Sequence, residues 1–90
     1  MELIRFPYLT RLALNGNQIG GAIPDEIGQL WMLETLDLSW NRLTGSIPPK
    51  LGQLVRLKRL LLYNNQLTGV LPDSLGNLHV SKCNVWRPFL

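Results

Sequence analysis

The sequence predicts an α/β repeat solenoid, and three observations carry that prediction. Leucines at Leu9, Leu33 and Leu57, each 24 positions from the last, open three units that stay in register to residue 78. Within each unit the apolar residues then alternate at period two for a few positions, the mark of a short strand with one face buried. Each unit closes behind a proline on an apolar pair, a stretch long enough only for a 3₁₀ or single-turn helix.

The unit can be followed position by position. After the opening leucine come Leu12, Leu36 and Leu60, then Leu14, Leu38 and Leu62. Asn17, Asn41 and Asn65 align next, with Ile19, Leu43 and Leu67 two places on. Gly21, Gly45 and Gly69 precede the pairs Ile23-Pro24, Ile47-Pro48 and Leu71-Pro72. Ile27-Gly28, Leu51-Gly52 and Leu75-Gly76 follow, and Leu30, Leu54 and Leu78 end the units. Written once, the unit is L-x-x-L-x-L-x-x-N-x-[IL]-x-G-x-[IL]-P-x-x-[IL]-G-x-L. One such unit cannot bury its apolar edge alone, so neighbours must stack, and about three are needed for stability.

Each position has a physical reason. Residues between the strand leucines point outward. The asparagines are not hydrophobic, and an unpaired amide in a core costs about 1–3 kcal/mol. Their two donors and one acceptor can instead satisfy backbone groups where the chain turns, and stacking repeats that bonding from unit to unit. The aligned glycines at 21, 45 and 69 suit a bend at positive φ. The prolines lack an N–H and cannot continue a central strand, so they turn the chain. Asp25-Glu26, Pro49-Lys50 and Asp73-Ser74 lie at the start of the predicted 3₁₀ turns.

Composition bounds the function. Apolar residues make up 46% and charged residues 17% of the 90, which reads as one small globular domain. No apolar run approaches the ~20 residues that span a bilayer, so no membrane insertion is expected. Residues 1–5 lack the pattern of a secretory signal, Cys83 is the single cysteine, and no Asn-x-Ser/Thr acceptor occurs. A net charge of +3 is too modest to imply nucleic acid. The expected partner is a protein or peptide, met by a monomer.

With the unit established, the chain resembles the plant-type leucine-rich-repeat family, whose signature adds L-x-G-x-[IL]-P to the core pattern. Residues Leu36 to Pro48 match that signature at every defining position, and the resemblance runs from Leu9 to Leu78. It implies a right-handed superhelix with a parallel sheet of short strands on the concave face, 3₁₀ turns on the convex side and a second short strand near the G-x-[IL]-P segment. It also implies recognition of a protein, peptide or other ligand, as in the ectodomains of receptor-like kinases and receptor-like proteins and in polygalacturonase-inhibiting proteins. Paired cysteines of the usual caps, a signal peptide, a transmembrane helix and a kinase domain do not occur in this sequence. Complete, it would be cytoplasmic; as a piece of a receptor ectodomain, it would belong to the cell surface.

Both ends depart from the unit. Residues 1–8 read as part of a preceding repeat or as a minimal cap, since Glu2-Leu3 and Phe6 lie 24 positions before Glu26-Ile27 and Leu30. At the other end Ser81, Asn84 and Trp86 stand where three leucines of a fourth unit would be. Residues 79–90 are therefore expected as a divergent tail or cap, with Val80, Val85, Trp86, Phe89 and Leu90 available to cover the last repeat, the alternative being a disordered or mistranslated end.

The outward strand positions are the expected binding surface. They are Arg11, Ala13, Asn15 and Gly16, then Thr35, Asp37, Ser39 and Trp40, then Arg59, Leu61, Tyr63 and Asn64. Arg11, Asn15, Asp37, Ser39, Trp40, Arg59, Tyr63 and Asn64 are the candidate contacts, because Trp, Tyr and Arg dominate protein-interface hot spots. The plainer alternative is that Trp40 and Tyr63 only cover neighbouring strands. Arg56, Lys58 and Arg59 form a basic cluster that either attracts phosphate or an acidic partner or is a solvated face. His79 and Cys83, four apart, would meet on a helix, but two side chains do not make a metal or nucleophile site. No phosphate loop spacing occurs, and no enzyme, cofactor or metal is expected.

Overall fold

The computed structural model describes residues 6–85. Along the chain these form β1 (Arg11–Ala13), β2 (Gly20–Ala22), a 3₁₀ turn (Asp25–Gln29), β3 (Thr35–Asp37) and β4 (Arg42–Ser46). A second 3₁₀ turn (Pro49–Gln53), β5 (Arg59–Leu61), β6 (Gln66–Thr68), a third 3₁₀ turn (Asp73–Asn77) and β7 (Lys82–Asn84) complete them. The strands make two parallel sheets, ordered β1-β3-β5-β7 and β2-β4-β6. Parallel neighbours need a crossover, and here each crossover is the rest of one repeat. The result is the leucine-rich-repeat solenoid, with its four-stranded sheet concave and its 3₁₀ turns convex.

The leucine positions face inward and stack into one core. Leu36 and Leu60 in the strands and Leu38 and Leu62 just after them meet Ile27 and Leu51 of the 3₁₀ turns and Leu30 and Leu54 that close those turns, all buried. Burying each such side chain contributes about 1.5–3 kcal/mol before entropy is counted. Pro24, Pro48 and Pro72 sit at φ −74, −70 and −64° and end the second strand of each unit. Their carbonyls accept from Ile27, Leu51 and Leu75 N at 3.1, 3.0 and 3.1 Å, starting the 3₁₀ turns. Gly21, Gly45 and Gly69 hold φ of +79, +76 and +81°, the left-handed bend expected of that column.

The asparagines join successive turns. Asn41 Nδ2 donates to Leu38 O and Ser39 O in its own turn, at 3.0 and 3.1 Å, and to Leu14 O in the turn before, at 3.0 Å. Its Oδ1 accepts from Ile19 N at 3.1 Å. Asn65 repeats the arrangement, accepting from Leu43 N and donating to Leu38, Leu62 and Tyr63 O. Asn17 bonds only within its own turn, to Leu14 and Asn15 O.

The tail corrects the sequence reading at one point. Residues 82–84 add a fourth strand to the concave sheet, pairing Arg59 with Lys82, Leu60 with Cys83 and Leu61 with Asn84. The step from β5 to β7 is thus 23 residues, one short of the repeat, and Val80, Cys83 and Val85 take the three leucine positions. Val85 is 6% exposed within the core and Val80 packs against it, while the 24-residue register had pointed to Ser81, Asn84 and Trp86. Trp86, Phe89 and Leu90 lie outside the described residues, as do residues 1–5 of the predicted N-terminal segment. Phe6 O accepts from Leu9 N at 3.0 Å, the bond that Leu30 and Leu54 O make to Leu33 and Leu57 N.

Two predictions follow from this packing. Asn41→Ala orphans buried backbone groups in two turns and is expected to destabilise by about 2–3 kcal/mol in urea unfolding, against less than about 1 kcal/mol for Asn17→Ala. A Cβ on Gly52 would stand 2.8 Å from Ser74 O and 2.6 Å from Ser74 Cβ, whereas Gly76 has nothing within 4 Å. Gly52→Ala is expected to lower stability by about 1–3 kcal/mol and Gly76→Ala to leave it unchanged or slightly raised, read by thermal unfolding.

Candidate functional site

The concave sheet sets its outward residues in rows across the strands. The first row is Arg11, Thr35, Arg59 and Lys82; the second is Ala13, Asp37, Leu61 and Asn84. Beyond the strands the ladder continues, with Gly16 N donating to Ser39 O at 3.1 Å and Trp40 N to Tyr63 O at 3.0 Å. That continuation brings Asn15, Ser39 and Tyr63 together, with Gly16, Trp40 and Asn64 beside them. At about 3.3 Å per residue along a strand, the aromatic end lies roughly 13–16 Å from the arginine row.

Arg11, Asp37 and Arg59 therefore sit in the sheet and the other five candidates in its hydrogen-bonded continuation, but not all present a side chain. Arg11, Asn15, Trp40 and Arg59 are exposed, and Asp37, Tyr63 and Asn64 are half-buried. Ser39 is a correction: it is 1% exposed, and its hydroxyl donates to Asp37 Oδ1 at 2.6 Å while its N–H donates to the same oxygen at 3.1 Å. It fixes Asp37 and offers nothing outward. Leu61, expected to point to solvent, is 6% exposed, flanked in its row by Asp37 and Asn84. Period-two alternation carries no information about cover by neighbours on adjacent strands.

The end of the face is under backbone strain. Trp40 and Asn64 adopt φ of 57 and 56°, where Gly16 holds 74° in the equivalent place. Asparagine tolerates this left-handed region, and a bulky aromatic does so at a cost of order 1–3 kcal/mol. Trp40 is nonetheless 58% exposed, so it recovers only part of the burial available to tryptophan. The Asn64 Nδ2 atom is buried without a hydrogen-bond partner among the described residues.

Sequence reasoning missed Lys82, which β7 sets beside Arg59. Sliding the chain by 23 rather than 24 positions, to align Val80, Cys83 and Val85 with Leu57, Leu60 and Leu62, would have found it. At the same rim Lys58 Nζ lies 3.4 Å from Glu34 Oε1, and the Arg56 guanidinium stands 5.3 Å from the Trp31 ring centre. His79 and Cys83 do not share a helix face, because Cys83 lies in β7 and the chain from 79 to 81 is not helical. Partial burial pushes the Cys83 thiol pKa up, away from the reactive thiolate. Among the described residues no three His, Cys, Asp or Glu side chains converge as a metal site would require, and no helix is long and apolar enough to cross a membrane.

The comparisons with known proteins agree with this architecture. The family described as Leucine Rich Repeat matches residues 8–30, 32–54 and 56–78. No curated protein matches the chain in sequence. Among solved structures, the BIR2 ectodomain from Arabidopsis thaliana is 37% identical with a TM-score of 0.83, over 86% of this chain and 41% of that one. The Arabidopsis receptor kinase HAESA, solved in complex with the peptide hormone IDA and the co-receptor SERK1, is 38% identical with a TM-score of 0.87, over 92% and 14%. A plant ice-binding protein is 34% identical with a TM-score of 0.89, over 94% and 28%. The chain thus spans less than half the length of each of these structures. Three matched units, two parallel sheets and an asparagine ladder that ties one turn to the next agree on one conclusion: the chain belongs to the leucine-rich-repeat family, in its plant-type form.

Proposed function

We propose that this chain is a protein-binding module that recognises a protein or peptide segment across its concave sheet, one copy to one partner, without catalysis. The observation that carries the reading is Trp40, exposed just beyond β3 and held at positive φ where Gly16 stands in the first unit. A strained, exposed aromatic next to Tyr63 is poor design for a core and good design for an anchor. Arg11, Asp37 and Arg59 supply charge on the same face, with Asn15 and Asn64 beside the aromatics; Ser39 serves by holding Asp37. The peptide and co-receptor in the HAESA complex support the reading by similarity.

A second reading has these units working within a longer receptor ectodomain at the cell surface, where they would form part of one continuous binding face. The outer edge of β6 favours it: Val70 is 84% and Leu71 44% exposed, whereas Ile23 and Ile47, which share Leu71's place in the unit, are buried beneath the next turn.

Two measurements test the proposal. Affinity capture with the purified chain is expected to recover partners that a variant with alanine at Arg11, Asp37, Trp40, Arg59 and Tyr63 does not; equal recovery by a folded variant sinks the concave-face reading. Trp40→Gly is expected to raise stability by about 0.5–1 kcal/mol through relief of the left-handed strain while reducing capture. A loss of stability above about 1 kcal/mol would instead make Trp40 a structural cover.

A further inference from the structure

Charge on the molecule is segregated. Asp25, Glu26 and Asp73 lie in the 3₁₀ turns of the convex side. On the sheet side Asp37 has one oxygen engaged twice by Ser39. Glu34 is the remaining carboxylate there among the described residues, and it is shared with Lys58. Against these, Arg56, Lys58, Arg59 and Lys82 gather with His79 at the rim where β5 and β7 begin.

Two features set this rim apart from an ordinary solvated face. Arg59 and Lys82 are direct partners in adjacent parallel strands, whose backbones run about 4.8 Å apart, and like charges so placed destabilise a sheet. Neither pairs with a carboxylate among the described residues, so a counter-charge from outside would relieve the pair. The second feature is shape. An open concavity of about 310 Å³ lies at the segments that lead into β5 and β7, lined by Glu34, Val55, Arg56, Leu57, Lys58 and His79. Stacking on Trp31 holds the Arg56 charge beside it.

We infer that this rim binds an acidic, extended peptide segment, with side-chain carboxylates seated between Arg59 and Lys82 and against Arg56 and Lys58. The inference rests on partner binding through this sheet and adds the chemistry of the partner. A carboxylate accepts from two cations at this spacing, and alternate residues of an extended chain, about 6.6–7 Å apart, bring a second carboxylate to the concavity. Nucleic acid fits less well: the cluster spans two strands rather than a track, and Arg56 already occupies a face of Trp31, the aromatic at this rim.

The test is fluorescence anisotropy with the full chain and two labelled ten-residue peptides of alternating sequence, Glu-Ser and Gln-Ser. The Glu peptide is expected to bind, weakening as salt shortens the Debye length, and the Gln peptide is not. Arg59→Gln with Lys82→Gln is expected to weaken binding about tenfold. Arg42→Gln with Lys50→Gln removes the same charge elsewhere and is expected to change it less than about twofold. Equal weakening by both pairs, or equal binding of both peptides, overturns the inference. So does a labelled oligothymidine that binds more tightly than the Glu peptide and depends on the same pair. Capture that depends on Trp40 while the Glu peptide fails to bind overturns the acidic-segment inference and leaves the concave-face reading standing. Glu-peptide binding that depends on Arg59 and Lys82 but is indifferent to Trp40→Gly supports the rim inference and counts against the aromatic anchor alone.

Discussion

Everything in this structure depends on satisfying the backbone where each turn leaves the concave sheet. There the chain changes direction beneath the surface, and its carbonyls lose their strand partners while still shielded from water. The Asn41 and Asn65 side chains replace those partners with four bonds each, divided between two successive turns. One side chain thereby sets both the shape of a turn and its distance from the turn before. The leucine column supplies most of the apolar burial, but leucines alone would tolerate sliding, since one apolar contact is much like another. A directional bond with a fixed acceptor does not. Apolar stacking gives the solenoid its stability and the asparagines give it register.

Features that recur at fixed spacing were legible in the sequence: the strands, the 3₁₀ turns, the left-handed glycines and the asparagine bonding. Each is a local requirement repeated three times, so each copy confirms the others. What the sequence concealed lies where the repetition breaks or where neighbours interact across strands. Loss of one residue before β7 displaced its whole pattern by a position, and in a strand one position exchanges inside for outside. Lys82 therefore looked like part of a tail rather than a member of the arginine row. Ser39 and Leu61 alternate correctly and are covered all the same, because cover on a concave face comes from the adjacent strands and not from the residue's own pattern.

The candidate site combines restraint with strain. Asp37 is immobilised by Ser39, so its carboxylate presents a fixed edge rather than a mobile charge. A few residues on, the backbone of Trp40 is held where glycine would be more comfortable. The rigid parallel ladder on both sides over-determines that conformation, which is how a fold can hold an unfavourable residue in place. Aromatic contact area at one end and, at the other, cations with no carboxylate partner among the described residues give the face two distinct chemistries along one strand direction. A partner that satisfies both must lie along the strands as well as across them, and orientation follows from that.

The extra strand has a further effect. β7 bonds the edge of β5, with Leu62 N donating to Asn84 O at 2.8 Å and Lys82 N donating to Lys58 O at 3.1 Å. β5 is thereby an inner strand like β3, with ladder partners on both sides. A strand paired on one side presents a row of open donors and acceptors to any passing chain, and a strand paired on both does not. Arg59 is thus carried on backbone that must lose a neighbour before it can fray.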